Sequence, residues 1–254
     1  MENKTAIITG ASSGIGTELA FQLADKKWNV FLIARRQNLL KSISDEINNS
    51  KAGHADWYSC DVTDKEEVEV ATKKAVSGFG DISIVIANAG IREQVSIKEF
   101  DLCKIKRIYD VNVFGVLNTI KASLPYMLER GEGKIIAVSS ISSFCSLPKG
   151  HPYCASKTAL NKHMRGLYYE LKPFKIMVST IFLGFVRTPM IEGHGFNVPS
   201  VIEASEAARK IIKSIGSKKK MSFINCWHFL FFIKLMNLLP EFLHYFLFKK
   251  TNLA

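Results

Sequence analysis

A tyrosine and a lysine with the spacing of one helical turn could together do acid–base chemistry, although the same spacing occurs on many helices. They are Tyr153 and Lys157 in the segment YCASK. The i, i+4 spacing places them on one helix face, and a nearby ammonium favours the phenolate form of a tyrosine, whose pKa is ordinarily about 10. Such a pair can exchange a proton with a substrate. Upstream, Ser140 could offer a hydroxyl to the same substrate oxygen.

A glycine-rich segment, TGASSGIG at residues 9–16, joins a strand-like run to a helix-like run. Glycines at such a turn let the backbone approach a pyrophosphate, whose charge is then met by the free N–H groups and the positive dipole end of the helix. A tight turn without any ligand also uses glycines. The segment alone therefore leaves both interpretations open.

Two arginines, Arg35 and Arg36, follow the second strand-like run. A dinucleotide-binding fold usually carries an acidic residue there for the ribose 2′-hydroxyl. A guanidinium would instead pair bidentately with a 2′-phosphate, which favours NADP(H) over NAD(H). The alternative is that both arginines only cap an exposed helix start.

Short β-branched runs alternate with longer amphipathic runs through most of the chain. This rhythm predicts an α/β fold, a doubly wound parallel sheet with helices on both faces and ligands at the carboxyl ends of the strands. Helices are predicted at residues 15–27, 38–49, 65–79, 153–171 and 204–215, with a long helical stretch ending at Leu128. The sequence predicts one domain over residues 1–220 and an apolar helical C-terminal appendage over 221–254.

The combination of motifs resembles the short-chain dehydrogenase/reductase family. In the family's order, over residues 4–190, the chain carries TGASSGIG, NAG at 88–90, Asn112 in VNVFG, Ser140 and YCASK. The resemblance implies a Rossmann-type domain for residues 1–220, a nicotinamide cofactor, and a catalytic tetrad of Asn112, Ser140, Tyr153 and Lys157. In that scheme Tyr153 exchanges the proton and Ser140 holds the substrate oxygen. Lys157 binds the nicotinamide ribose and lowers the tyrosine pKa, and Asn112 supports a water-linked proton path.

The same resemblance implies the cofactor contacts. Six residues of the glycine-rich segment would line the phosphates: Gly10, Ser12, Ser13, Gly14, Ile15 and Gly16. Beyond them, Asp61 and Val62 would meet the adenine, Asn88 and Gly90 the adenosine ribose, and Thr188 the carboxamide. The family usually has Pro-Gly where this chain has Leu183-Gly184. This departure predicts a looser backbone around Gly184, for which the resemblance also implies a cofactor contact. Residues 184–200, which contain several glycines and prolines, are expected to form a mobile substrate lid.

Composition and charge argue against several classes of protein. The net charge is +11, but residues 218–254 hold six lysines and one glutamate, so the body is only mildly basic. No nucleic-acid motif accompanies these cations, and we expect no nucleic-acid partner. The six histidines lack metal-binding spacing, so we expect no metal. Five cysteines without a CxxC pair favour free thiols in the cytoplasm, and we expect no signal peptide.

The segment 221–248 is unusually rich in phenylalanine and leucine. Its uncharged run between Lys220 and Lys234 is shorter than the roughly 20 residues that cross a bilayer. Four polar residues of the segment fall on one helical face: Lys234, Asn237, Glu241 and His244. Lysines flank the segment at positions 218–220 and 249–250. This pattern predicts an amphipathic helix on an anionic membrane surface, at the cytoplasmic face. Packing on a partner subunit or over the active site is the alternative.

The predicted function is the NADP(H)-dependent interconversion of a ketone or aldehyde and an alcohol, on a hydrophobic or lipid-like substrate. One alternative is a reductase of small soluble carbonyls that uses the tail for oligomerisation. Another is a non-catalytic NADP(H)-binding sensor or scaffold, against which the intact tetrad speaks. The family resemblance also implies a homodimer or a homotetramer.

Overall fold

A computed structural model describes residues 4–50, 53–191, 200–217, 219–226, 230–231 and 243. Within these ranges the strands are β1 (Thr5–Thr9), β2 (Asn29–Ala34), β3 (His54–Ser59), β4 (Ile82–Ala87), β5 (Gly133–Ser140), β6 (Ile176–Leu183), β7 (Val186–Arg187), β8 (Ile202–Glu203) and β9 (Met221–Ile224). The α-helices are α1 (Gly14–Ala24), α2 (Gln37–Ser50), α3 (Lys65–Phe79), α4 (Leu102–Tyr109), α5 (Gly115–Arg130), α6 (His151–Leu171) and α7 (Ala204–Ile215).

The main sheet is parallel, with the strand order β3-β2-β1-β4-β5-β6-β9. Its inner strands are mostly apolar, and every residue of β1 and β2 is buried, as is usual where helices cover both faces of a sheet. The strand order reverses between β1 and β4. At such a switch point the carboxyl ends of the strands diverge and leave a crevice for a ligand.

Helices cover both faces of the sheet, as the sequence predicts. On one face, α1, α2 and α7 pack around a core that includes Leu19, Leu40 and Ile211. On the other face, α3, α5 and α6 pack around a core that includes Val68 and Leu160. The predicted α/β fold with a doubly wound parallel sheet is therefore confirmed.

The predicted helices occur at nearly the predicted residues. Helices α3 and α7 have the predicted bounds, and α6 begins two residues before Tyr153. Helix α1 ends at Ala24, and Lys27 after it adopts a left-handed φ of 64°. None of the helices in the described ranges is both long and apolar enough to cross a membrane.

One long predicted helical stretch is interrupted in the structure. A π-helical turn at Asp110–Phe114 separates α4 from α5. Wide turns of this kind are frequent at functional sites, and this one carries Asn112. Directly after it, Gly115 lies against Val62, because a Cβ on Gly115 would lie 2.5 Å from a Val62 methyl carbon.

A strand lies at the start of the predicted C-terminal appendage. Residues Met221–Ile224 form strand β9 at the edge of the sheet, paired with the second half of β6. Ile224 and Cys226 are buried, so the main domain extends to at least Cys226. The polar face predicted at residues 234, 237, 241 and 244 lies outside the described residues, and its surroundings stay a prediction.

Three phenylalanines connect β9 to the centre of the fold. The ring of Phe182 on β6 lies 4.9 Å from the rings of both Phe144 and Phe223, measured between centroids. Phe144 belongs to a 3-10 turn, Ile141–Phe144, that directly follows the end of β5. The edge strand is therefore packed against the turn that follows Ser140.

Strand β9 should contribute measurably to stability. Ile224→Ala removes a buried side chain from the core, and the loss of burial together with the cavity should lower the free energy of unfolding by about 2–5 kcal/mol. Urea denaturation measures this loss. The matched control is Met221→Ala on the same strand, where the side chain is exposed and the expected loss is below about 1 kcal/mol. Equal losses at the two positions would contradict the packing of β9.

Candidate active site

A cavity of about 540 Å³ opens at the carboxyl ends of the central strands. Sixteen of the predicted site residues line it: Gly10, Ser12, Ser13, Gly14, Ile15, Arg35, Arg36, Asp61, Val62, Asn88, Gly90, Ser140, Tyr153, Lys157, Gly184 and Thr188. The other two, Gly16 and Asn112, are buried behind it. The fold therefore brings residues from the whole predicted set to one place.

The glycine-rich segment forms a close cradle between β1 and α1. Gly10 has a φ of +66°, and a Cβ on Gly16 would lie 2.2 Å from the Gly10 carbonyl oxygen. Neither position accepts a side chain without rearrangement. Helix α1 starts at Gly14 with no acidic residue in its first turn, so its N–H groups and positive dipole end are available to an anion. The cradle fits a pyrophosphate.

The arginine pair lies beside this cradle. The Nε and Nη2 atoms of Arg36 donate to the hydroxyls of Ser12 and Ser13, at 3.1 Å and 2.5 Å. Arg35 forms an ion pair with Asp61 at 3.4 Å, and both side chains of that pair contact solvent. The guanidinium of Arg36 therefore lies at the cavity edge and is hydrogen-bonded to two serines of the glycine-rich segment.

Asn88 and Gly90 border the cavity in different ways. The Asn88 amide donates to the Thr9 carbonyl at 3.1 Å, which links the end of β4 to the end of β1. A Cβ on Gly90 would lie 3.2 Å from Asn112 Oδ1 and 3.4 Å from Lys157 Nζ. Gly90 therefore lets the loop pass directly over two members of the predicted tetrad.

Asn112 is fully buried in the π-helical turn. Its Oδ1 accepts from the Ile91 N–H at 2.8 Å, and its Nδ2 donates to the Ile91 carbonyl at 2.9 Å. The same Nδ2 donates to the Ser156 hydroxyl on α6 at 3.0 Å. The amide thus connects the loop after β4 with α6, the helix that carries Tyr153.

Tyr153 and Lys157 meet on one face of α6. The Lys157 ammonium lies 6.0 Å from the Tyr153 ring centroid and donates to the Val138 carbonyl at 3.0 Å. Burial lowers the pKa of Lys157 to about 8. Burial raises the pKa of Tyr153 above its ordinary value, while a hydrogen bond with Ser140 and the positive charge of Arg92 oppose that rise. The influence of Lys157 on the tyrosine pKa stays a prediction.

Ser140 ends strand β5 beside the tyrosine. Its Oγ accepts from the Ser142 N–H at 3.1 Å and thereby starts the 3-10 turn that follows. The side chain is half-buried and lines the cavity. Its hydroxyl and that of Tyr153 can therefore contact the same substrate oxygen.

The Leu183-Gly184 pair lies against β9 and the residue that follows it. The Gly184 N–H donates to the Ile224 carbonyl on β9 at 2.9 Å, and a Cβ on Gly184 would lie 2.0 Å from the Asn225 carbonyl oxygen. Glycine is therefore required by the close approach of β9. Thr188 lies against Gly14, since its methyl carbon is 3.0 Å from where a Gly14 Cβ would be. Residues 192–199 of the predicted lid lie outside the described residues.

The sequence analysis missed Arg92, which lines the cavity two residues after the NAG motif. Its guanidinium carbon lies 6.0 Å from the Tyr153 ring centroid. The position of Arg92 in the sequence could have indicated a functional residue, because loops at the carboxyl ends of parallel strands carry ligand-binding residues. Ser156, which supports Asn112, lies within the YCASK motif and was also missed.

Comparison with known proteins places this geometry among related enzymes. An uncharacterized oxidoreductase of Staphylococcus saprophyticus is 37% identical over 75% of this chain and 81% of the relative. A fatty acyl-CoA reductase of Acinetobacter baylyi is 32% identical over 87% of this chain and 75% of the relative. The structure of an alcohol dehydrogenase from Thermococcus sibiricus, complexed with 5-hydroxy-NADP, superposes with a TM-score of 0.78 at 28% identity, covering 88% and 95% of the two chains.

The sequence profile of the family described as short chain dehydrogenase matches residues 4–222, from the first strand to the middle of β9. That range contains the cradle, the cavity and all four members of the predicted tetrad. The chain therefore belongs to the short-chain dehydrogenase family of oxidoreductases.

Proposed function

We propose that this chain is an NADP(H)-dependent oxidoreductase that interconverts a ketone or aldehyde and an alcohol. The observation that carries the proposal is the convergence of Tyr153, Ser140 and Lys157 on one cavity, next to a glycine cradle that fits a pyrophosphate. Family membership supports the nicotinamide cofactor. The distances and hydrogen bonds described above support a separate role for each of these residues.

A nicotinamide bound in the cavity supplies the hydride in reduction and accepts it in oxidation. Tyr153 then gives its hydroxyl proton to the carbonyl oxygen, or takes the proton from the alcohol in the reverse direction. Ser140 donates a hydrogen bond to the same oxygen and holds it within reach of Tyr153. Lys157 places a positive charge beside the ring and favours the phenolate.

Asn112 acts in this scheme by holding the site together. Its hydrogen bonds to Ile91 and Ser156 maintain the distance between the loop after β4 and helix α6. We further propose that Asn112 supports a water-linked path for the proton that Tyr153 exchanges, as the family resemblance implies.

The preference for NADP(H) is supported by Arg36. Its guanidinium donates hydrogen bonds to two serine hydroxyls of the cradle. In this position it would pair with the 2′-phosphate of an adenosine ribose. Arg35 is partly engaged by Asp61, so Arg36 is the main determinant in this proposal. The bound NADP analogue in the Thermococcus relative is consistent with the same choice.

Tyr153→Phe tests the acid–base assignment. Because the phenyl ring keeps the packing but has no proton to exchange, we expect kcat for a reactive ketone to fall about 10²–10⁴-fold. Tyr169→Phe, on the exposed side of the same helix, is the matched control and should keep full turnover. NADPH binding, followed by fluorescence, should be unchanged in both variants. Turnover retained by Tyr153→Phe would rule out the proposed function.

Arg36→Gln tests the cofactor preference. Losing a charge-assisted contact with a phosphate should weaken NADPH binding about tenfold to a hundredfold, as measured by fluorescence titration. NADH serves as the internal control because it lacks the 2′-phosphate, and its affinity should change less than about twofold. A similar loss for both cofactors would mean that Arg36 only supports the cradle.

A hydrophobic substrate at a membrane surface is proposed from two observations. Apolar side chains are part of the cavity lining: Ile141, Phe185, Met190 and Ile191. The segment after Phe231 combines an apolar composition with terminal lysines, as expected of a helix on an anionic leaflet. The Acinetobacter relative named as a fatty acyl-CoA reductase supports a long-chain substrate.

Flotation with vesicles tests the membrane proposal. The chain should float with phosphatidylserine–phosphatidylcholine vesicles at low salt, and a variant ending at Phe231 should not. This truncation preserves β9 and Leu230, which packs against Cys226, so NADPH binding by the variant verifies its fold. High salt should release the full chain from vesicles, since screening weakens attraction to the anionic lipid. No flotation of the full chain would indicate that protein, not lipid, covers the tail.

A further inference from the structure

Tyr153 has two cations at equal distance from its ring. The guanidinium carbon of Arg92 and the ammonium nitrogen of Lys157 each lie 6.0 Å from the ring centroid. Lys157 belongs to the same helix as the tyrosine, whereas Arg92 comes from the loop after β4. Arg92 is half-buried and lines the same cavity. The proposed acid–base group is therefore influenced from two separate elements.

Three anchors fix the loop that presents Arg92. On one side, both backbone polar groups of Ile91 are bonded to Asn112. On the other side, Glu93 forms two hydrogen bonds with Arg107, at 2.9 Å and 2.5 Å. Further along, the Val95 N–H donates to the Lys149 carbonyl at 2.8 Å. The position of Arg92 is thus set by its neighbours, and a substitution at Arg92 removes none of these anchors.

The two cations differ in how long they keep their charge as the pH rises. Burial holds the pKa of Lys157 near 8, so this ammonium loses its proton in mildly alkaline solution. A guanidinium stays charged throughout the range in which proteins are folded. Above about pH 8 the positive charge of Arg92 therefore persists at the tyrosine while that of Lys157 declines.

Among the described residues, Ser140 and Cys154 also affect the pKa of Tyr153. Ser140 forms a hydrogen bond that favours the phenolate, and the neighbouring Cys154 thiol acts in the opposite direction. Glu93 also lines the cavity, but its charge is paired with Arg107. Arg92 is a charged group from outside helix α6 whose effect opposes the rise in the tyrosine pKa caused by burial.

We propose that Arg92 is a positioning residue of this active site, a second cation from a separate element that stabilises the phenolate form of Tyr153. The inference rests on the proposed acid–base role of Tyr153. Its consequence is that alcohol oxidation, which starts from the phenolate, stays efficient in alkaline solution because of a loop residue outside the tetrad.

The first test is the pH dependence of kcat/KM for alcohol oxidation. In Arg92→Gln the rising limb should move to higher pH, with a loss of about tenfold at pH 8 that disappears at the plateau; a unit charge about 6 Å away has an effect of this order. Arg92→Lys should restore the limb because it restores a charge. The matched control, Arg209→Gln, removes an exposed arginine from α7 and should leave the profile unchanged. A uniform loss at every pH would overturn the proposal.

The second test does not depend on turnover. The full chain is labelled with tyrosine carrying ¹³C at Cζ, and the Tyr153 signal is assigned by its loss in Tyr153→Phe. We expect that signal to titrate at higher pH in Arg92→Gln than in the native chain, and at the native position in Arg92→Lys. An unchanged titration would overturn the inference about Arg92. A shifted titration in a chain without dehydrogenase activity would instead place the failure in the proposed function.

Discussion

The arrangement of the site depends on the hydrogen bonds of the buried Asn112 amide. It satisfies both backbone groups of Ile91 and also bonds Ser156, so one side chain joins the loop after β4, the π-helical turn and helix α6. Leaving such buried groups without partners would cost about 1–3 kcal/mol each. The interruption of the helix at Asp110–Phe114 is tolerated because it delivers this amide to the centre of the site.

The sequence predicts those parts of the site whose geometry is local. Tyr153 and Lys157 share a face because they are four residues apart on one helix, and the glycines of the cradle act within a single turn. Helices with clear apolar periodicity, such as α3 and α7, occur at the predicted residues. Alternation of strands and helices was enough to predict the parallel sheet, because crossover connections leave few other topologies.

Features that depend on contacts across the chain were not predictable in the same way. Arg92 reaches Tyr153 only after β4 and β5 have paired, and nothing near Arg92 in the sequence refers to a tyrosine 61 positions later. Strand β9 is a short apolar run within an aromatic-rich segment, and hydrophobicity alone does not distinguish a strand from a helix there. Its identity comes from the free edge of β6.

The phenylalanine cluster has a consequence for how the protein is made. Phe223 on β9 packs on Phe182 and Phe144, and thus supports the turn that begins at Ser140. Chains are synthesised from the N-terminus, at about 5–20 residues per second, so Ser140 emerges well before the strand that supports its turn. A nascent chain that has not reached β9 carries the whole predicted tetrad in its sequence, yet Ser140 lacks the packing that supports the turn after it.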